Sequence, residues 1–251
     1  MITNEKTRTF ILILSLILSL AAVFLMYKSV WKNLLSQPIP ESKKQVVGIE
    51  KPTDLKFFLD ENTKDILRKI PADKRANFNS AMAKFKKSIQ NNNILDVNDK
   101  ASDFKLIRKI NLYNVLSEKN VVLMWYWGKW SSYCGISFSS YTKMISKIDT
   151  NEVKVIVITP ETDLNLLKND DVEIIVDKNN EIARKFGLVF DVPAGIKDFF
   201  SIKNEVKQLP LPAVYVIDRQ GVIRYAFADL DLKHRAEPTE ILDVIKNITV
   251  R

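Results

Sequence analysis

The chain has 251 residues, of which 46% are hydrophobic, 27% charged and 10% aromatic, with 6 Gly and 9 Pro. That composition belongs to a globular chain and excludes a disordered tail, a collagen or a Pro/Gly-rich linker protein. A single Cys and a single His exclude an intrachain disulfide framework, a Cys-cluster metal site and a multi-histidine zinc site. The formal net charge of +8 comes from Lys spread along the whole chain and reads as a solvated surface. No Arg-rich arm or zinc-finger spacing points to nucleic acid.

Residues 10–27, FILILSLILSLAAVFLMY, form the first strong feature after a short tail of residues 1–9. These 18 residues carry no charge, and at ~1.5 Å each they reach about 27 Å, close to the hydrocarbon thickness of a bilayer. A single transmembrane helix is therefore expected, with the lipid bilayer as a partner. Ser19-Leu20-Ala21 offers a signal-cleavage pattern, but Val23, Phe24, Leu25 and Met26 continue the apolar run past it, which favours an uncleaved anchor. Lys6 and Arg8 precede the span, whereas Lys28, Lys32, Lys43 and Lys44 follow it, so the charge rule and the short basic tail disagree on orientation. The tail favours a soluble domain on the extracytoplasmic side of a bacterial inner membrane. Residues 28–53, with Pro38, Pro40, Pro52 and few large apolar residues after Leu35, read as a linker.

Residues 54–92 read as a helical extension. Phe78, Ala81, Met82, Phe85 and Ile89 recur at helical spacing over 77–90, with Lys84, Lys86 and Lys87 largely opposite. Pro71 and Asp73 mark the start of that helix and Asn91-Asn92-Asn93 its end. A shorter helix is expected near 64–70.

From residue 93 to 251 strands and helices alternate. Val121–Trp127 and Val153–Ile158 are buried strands, Val172–Val176 a third and Ala213–Ile217 a fourth. Asp218-Arg219-Gln220-Gly221 is a hairpin turn leading to a returning strand, Val222–Phe227. Helices are expected at 134–148, 181–186 and 237–247. The pattern predicts an α/β sheet with a parallel core and an antiparallel edge.

The strand, turn and helix at 121–148 place Cys134 in the first turn of a helix, at the carboxyl end of a central strand. Ligands and reactive groups collect there in open α/β sheets. Unpaired backbone N–H groups and the positive end of the helix dipole favour a thiolate. Ser131, three residues earlier, could donate a hydrogen bond to the sulfur, and Lys129 could add positive charge. Trp125, Trp127 and Trp130 crowd the same turn, either as packing or as the apolar wall of a substrate pocket. His234, Arg235 and Arg224 read as solvated surface residues, and Asp229 and Asp231 could pair with such cations.

Residues 99–106 (DKASDFKL), the segment VVLMWYWGKWSSYC, Thr159-Pro160-Glu161, IVDKNNEIARKFGLVFDVP and LPLPAVYVIDRQGVIRYAFADLDLKHRAEP together carry a resemblance. Over roughly residues 55–248 the chain resembles the alkyl hydroperoxide reductase/thiol-specific antioxidant, peroxiredoxin-like branch of the thioredoxin-like superfamily. The resemblance implies a thioredoxin-like fold, a central mixed sheet flanked by helices. It places Cys134 on the peroxide-attacking cysteine and Ser131 on the Ser/Thr that orients the peroxide. Trp127 stands where the family motif has Pro, and Ser131 and Ser132 replace the first Cys and the Pro of a thioredoxin-type pair. The family's usual Arg before the later strand is missing, and Arg224 or Arg235 could substitute for it; Pro212 stands in its place, and a cis peptide is expected there.

These residues imply a peroxidase using one cysteine, with a peroxide as substrate and an external thiol, or the Cys134 of a second subunit, as reductant. The reading needs no cofactor and no metal, and is compatible with a homodimer. The candidate pocket comprises Trp127, Lys129, Trp130 and Pro212 around Cys134 and Ser131. The alternative is a redox-inactive or redox-sensing thioredoxin-fold interaction module, favoured by the missing Arg and the missing second Cys.

Overall fold

The structure is a computed structural model. It describes residues 55–89 (backbone only over 85–89), 93–106, 110–164, 170–200, 202–203, 205–229, 231 and 234–249. All of them belong to one compact unit, Glu50–Arg251.

The central sheet has the order β3-β2-β1-β6-β7. Strands β1 (Asn120–Trp125), β2 (Val153–Thr159) and β3 (Val172–Val176) run parallel. Strand β6 (Ala213–Ile217) pairs antiparallel with β1, and β7 (Ile223–Ala228) antiparallel with β6. Every residue of β1 and β6 is buried. That is why VVLMW and AVYVI show no alternation: both faces of these strands are covered by other elements. β1 divides its side chains by the two-residue period of a strand. Trp125 packs against Phe186 and Tyr215 (ring centroids 5.1 and 5.7 Å), whereas Tyr126 packs edge-on against Phe138 of helix α4 (Ser132–Ile145) at 5.8 Å.

Two helices precede the sheet. The first, α1 (Leu55–Lys69), begins well before the expected 64–70, because Leu55 and Leu59 both turn into the core, at 2% and 0% exposure. It lies on the first turn of α4. Asn62 Nδ2 donates to Ser132 Oγ and the hydroxyls of Thr63 and Tyr133 share a hydrogen bond, both at 3.0 Å. The second, α2 (Ala72–Ile89), stacks Phe78 on Phe199 at 3.9 Å. Leu59→Ala is expected to cost about 2–5 kcal/mol, because a fully buried side chain leaves a cavity between α1 and α4. Urea denaturation measures it, and a change below about 0.5 kcal/mol would mean that α1 is not part of the cooperative core.

Helix α3 (Leu112–Leu116) and helix α5 (Glu181–Lys185) are short. A second, two-stranded sheet joins β4 (Val189–Asp191) to β5 (Gln208–Pro210), with α6 (Ala194–Phe200) between them in sequence. Neither this sheet nor α3 and α6 was expected, since each run is too short to show a period. Helix α7 (Pro238–Thr249) closes the described chain.

Two expectations are corrected. The fold is stated without a transmembrane helix, and the membrane location falls with it: among the described residues no helix is long and apolar enough to cross a membrane. The 10–27 stretch, with the tail 1–9 and the linker 28–53, lies outside the described residues. The peptide at Pro212 is not cis either; no cis peptide bond occurs among the described residues. Pro212 enters β6, the first strand of a hairpin whose register includes Ala213↔Ala228, and a trans bond keeps the extended course such a strand start needs.

Candidate active site

The chain leaves β1 at Trp125 and reverses into α4 through a turn at residues 126–131. Gly128 sits in it at φ +149°, a conformation L residues rarely adopt, and a Cβ there would also come within 2.8 Å of Glu161 Oε2 and of Trp130 Nε1, so a side chain here is strained. Ser131 is the N-cap of α4. Its backbone is extended (φ −97°, ψ 108°) and its Oγ accepts the N–H of Cys134 at 3.3 Å. Ser-x-x-Cys is thus an N-cap and the third residue of its helix. Ser131 is fully buried and Cys134 only 3% exposed. The cysteine lies within the first turn, where the helix dipole favours negative charge.

Cys134 lines a small cavity between α4 and the sheet. About 20 Å³ of it is open to the centre of a water-sized sphere. Hydrocarbon makes up most of its wall. The polar contributors are few, and two of them are already spent. Ser137 Oγ donates to Tyr133 O at 2.8 Å and the Tyr141 hydroxyl donates to Ala236 O at 2.9 Å. Trp125, whose buried Nε1 has no hydrogen-bond partner, Tyr126 and Arg235 also line the cavity. Arg235 is 8% exposed. Its Nη1 donates to the backbone oxygens of Asp231 and His234, while its buried Nη2 has no hydrogen-bond partner. A buried guanidinium with an unspent N–H is costly unless something else accepts from it. Its charge is felt locally: Arg235 opposes the rise in the phenol of Tyr141 that burial causes.

Of the other expected site residues only Pro212 joins the sulfur, lining the cavity of Cys134. Trp127 is buried, donates its indole N–H to Pro210 O and stacks on Trp130 at 5.4 Å. Both indoles face a separate cleft of about 830 Å³ that Cys134 does not line. Lys129 is exposed and paired with Asp163, so its charge is engaged away from the sulfur. His234 is exposed and paired with Asp229 at 3.0 Å. Of the two cations that could substitute for the family's missing Arg, Arg235 is the one that lines this cavity, whereas Arg224 pairs with Asp218 at 2.6 Å. In the polar run before α7 nothing local distinguishes Arg235 from a solvated Arg; only the packing of that run over α4 buries it. Among the described residues no cluster of His, Cys, Asp and Glu could hold a metal ion.

Burial raises the phenol of Tyr126 to about 12, with the negative charges of Cys134 and Glu161 adding to it. Burial also leads the upward shifts of Tyr133, Tyr141, Tyr215 and Tyr225. An unfolded tyrosine ionises near pH 10. Above that pH the unfolded chain binds fewer protons than the folded one, so the stabilisation, fully present below pH ~10, is lost as pH rises through the folded values. Urea midpoints are expected to fall above about pH 10, with tyrosinate absorbance lagging in the folded protein. Ionisation of all tyrosines together near pH ~10 without unfolding would contradict this.

No curated protein matches the chain. Among solved structures, a yeast mitochondrial 1-Cys peroxiredoxin is 22% identical, with 62% of this chain and 78% of that one covered at a TM-score of 0.48. Mycobacterium tuberculosis AhpC is 10% identical (61% and 92% covered, TM-score 0.44). Peroxidoxin BcpB from the same organism is 17% identical (61% and 98% covered, TM-score 0.45). The family model described as AhpC/TSA family matches residues 97–226, just over half of the chain, from the approach to α3 through most of β7 and including the turn that carries Ser131 and Cys134. On that match this peroxiredoxin-like, thioredoxin-fold chain belongs to the AhpC/TSA family.

Proposed function

We propose that the protein is a thiol peroxidase working through one cysteine. The Cys134 sulfur, as thiolate, attacks one oxygen of the peroxide. An S–O bond forms while the O–O bond breaks; sulfur gives up two electrons, and the departing oxygen takes a proton to leave as water or an alcohol. Cys134 becomes a sulfenic acid. The chain has one Cys, so recovery falls to an external thiol. That thiol attacks the sulfenic sulfur, water departs and a mixed disulfide forms. A second thiol equivalent then releases Cys134 reduced and carries away the disulfide.

The observation that carries this reading is the buried guanidinium. Arg235 shares the cavity of Cys134 and keeps one N–H unspent, and negative charge develops on the departing oxygen, where such a donor acts most strongly. Ser131 positions the sulfur by capping the turn that holds it. Membership of the AhpC/TSA family supports the same chemistry.

The redox-inactive reading has its own support, since Cys134 is 3% exposed in a largely hydrocarbon wall. Trapping with dimedone after peroxide treatment separates the two. A dimedone adduct on Cys134, read by peptide mass spectrometry, is expected from the intact protein. Absence of the adduct at peroxide concentrations that leave the fold intact would favour the inactive module.

A further inference from the structure

Resting on the peroxidase reading, we infer that the cavity at Cys134 selects the smallest peroxide, hydrogen peroxide, and that Phe138 and Phe227 set the limit. The open space is about 20 Å³; a single water needs roughly 10–15 Å³ by the same measure. There is room for the two oxygens of HOOH and not for a branched or aromatic body attached to one of them. Close-packed walls do not yield cheaply to such a body.

The walls differ in freedom. Tyr126, Tyr141, Pro212 and Arg235 are buried, whereas Phe138 and Phe227 are half-buried, which puts these two on the solvent side of the lining. Phe138 projects from α4 and is braced edge-on by Tyr126 at 5.8 Å. Phe227 comes from β7, opposite Val214 of β6, which also lines the cavity. The entrance therefore lies between a helix and a strand held by the sheet ladder. Inside, Ser137 and Tyr141 spend their hydroxyl protons on backbone oxygens, so the unspent N–H groups of Arg235 and Trp125 are the buried donors left for a small oxygen ligand. The cleft beside Trp127 and Trp130, at about 830 Å³, would hold a bulky hydroperoxide, but it does not include the sulfur.

The test uses the full chain. Rates of Cys134 sulfenate formation are measured with hydrogen peroxide and with cumene hydroperoxide, and their ratio is divided by the ratio for a free thiol. The wild type is expected to favour hydrogen peroxide by roughly ten- to a hundredfold. Phe138→Ala and Phe227→Ala are each expected to shrink that preference by raising the cumene hydroperoxide rate. A normalised ratio near one in the wild type overturns the inference, as does an unchanged ratio in both variants when circular dichroism shows them folded. Reaction with both peroxides alike removes the size limit and leaves the peroxidase reading standing. Reaction with neither removes both.

Discussion

Arg235→Met is expected to slow peroxide oxidation of Cys134 by roughly 10²–10³-fold, the usual cost of deleting one preorganised donor to a developing oxyanion, while Cys134→Ser abolishes it. Arg235 is buried, is anchored through Nη1 to two backbone oxygens, and leaves the buried Nη2 unspent. Such a donor needs no reorganisation when charge appears on the departing oxygen. Methionine keeps most of the buried hydrocarbon, so the core loses little packing. Arg235→Lys separates chemistry from structure. It keeps the positive charge but not the fork that binds the backbone and the ligand together, and it should recover only part of the rate. Stopped-flow oxidation at a fixed pH measures all of these. Wild-type rates in Arg235→Met would remove Arg235 from the mechanism, and residual peroxide consumption by Cys134→Ser would remove the cysteine.

A large effect on stability, as great as that of emptying the Leu59 site, is expected at Gly187. It follows α5 at φ +71°, in the left-handed region, and a Cβ there would meet three backbone atoms: Asn93 O at 2.2 Å, Asn93 C at 2.6 Å and Ile94 Cα at 2.9 Å. Backbone cannot step aside as a side chain can. The neighbouring Phe186 is fully buried and its carbonyl accepts the N–H of Leu95 at 3.2 Å, so any shift tears at the core. The conformational cost of about 1–2 kcal/mol and an overpacking cost of about 1–3 kcal/mol put Gly187→Ala at roughly 2–5 kcal/mol. Gly135→Ala is the control. A Cβ at that exposed position on α4 meets nothing within 4 Å, and alanine is the better helix former, so the variant should match or slightly exceed the wild type. Urea midpoints decide; a Gly187→Ala protein as stable as Gly135→Ala would refute the clash.

Long apolar runs such as VVLMW and VKVIVIT announce strands buried on both faces, and the structure has them as neighbours, β1 and β2, in parallel register from Asn120↔Val153 to Trp125↔Ile158. The turn Asp218–Gly221 announces the β6–β7 hairpin, and Gly221 does adopt a positive φ of 76°. Against that, the antiparallel insertion of β6 beside β1 joins residues about a hundred positions apart, and no local pattern records such a pairing. Lys129 and the two stacked indoles share a turn with Cys134 in sequence, yet the turn directs them to another cleft and to Asp163. Nearness along a chain is poor evidence of a shared pocket where the backbone reverses.

By itself the sequence determined the alternation of strands and helices and the place of Cys134 in the opening turn of a helix, because hydrophobic period acts over a few residues; that Ser131 caps this helix by accepting the Cys134 N–H, and does not donate to the sulfur as expected, came from the structure. Only the tertiary structure decided which groups face the sulfur. Arg235 is one more cation in a polar run until the segment bearing it is laid over α4, with Tyr141 bonded to Ala236 across it. Whether a charged side chain is solvated or buried depends on which distant segments pack against it.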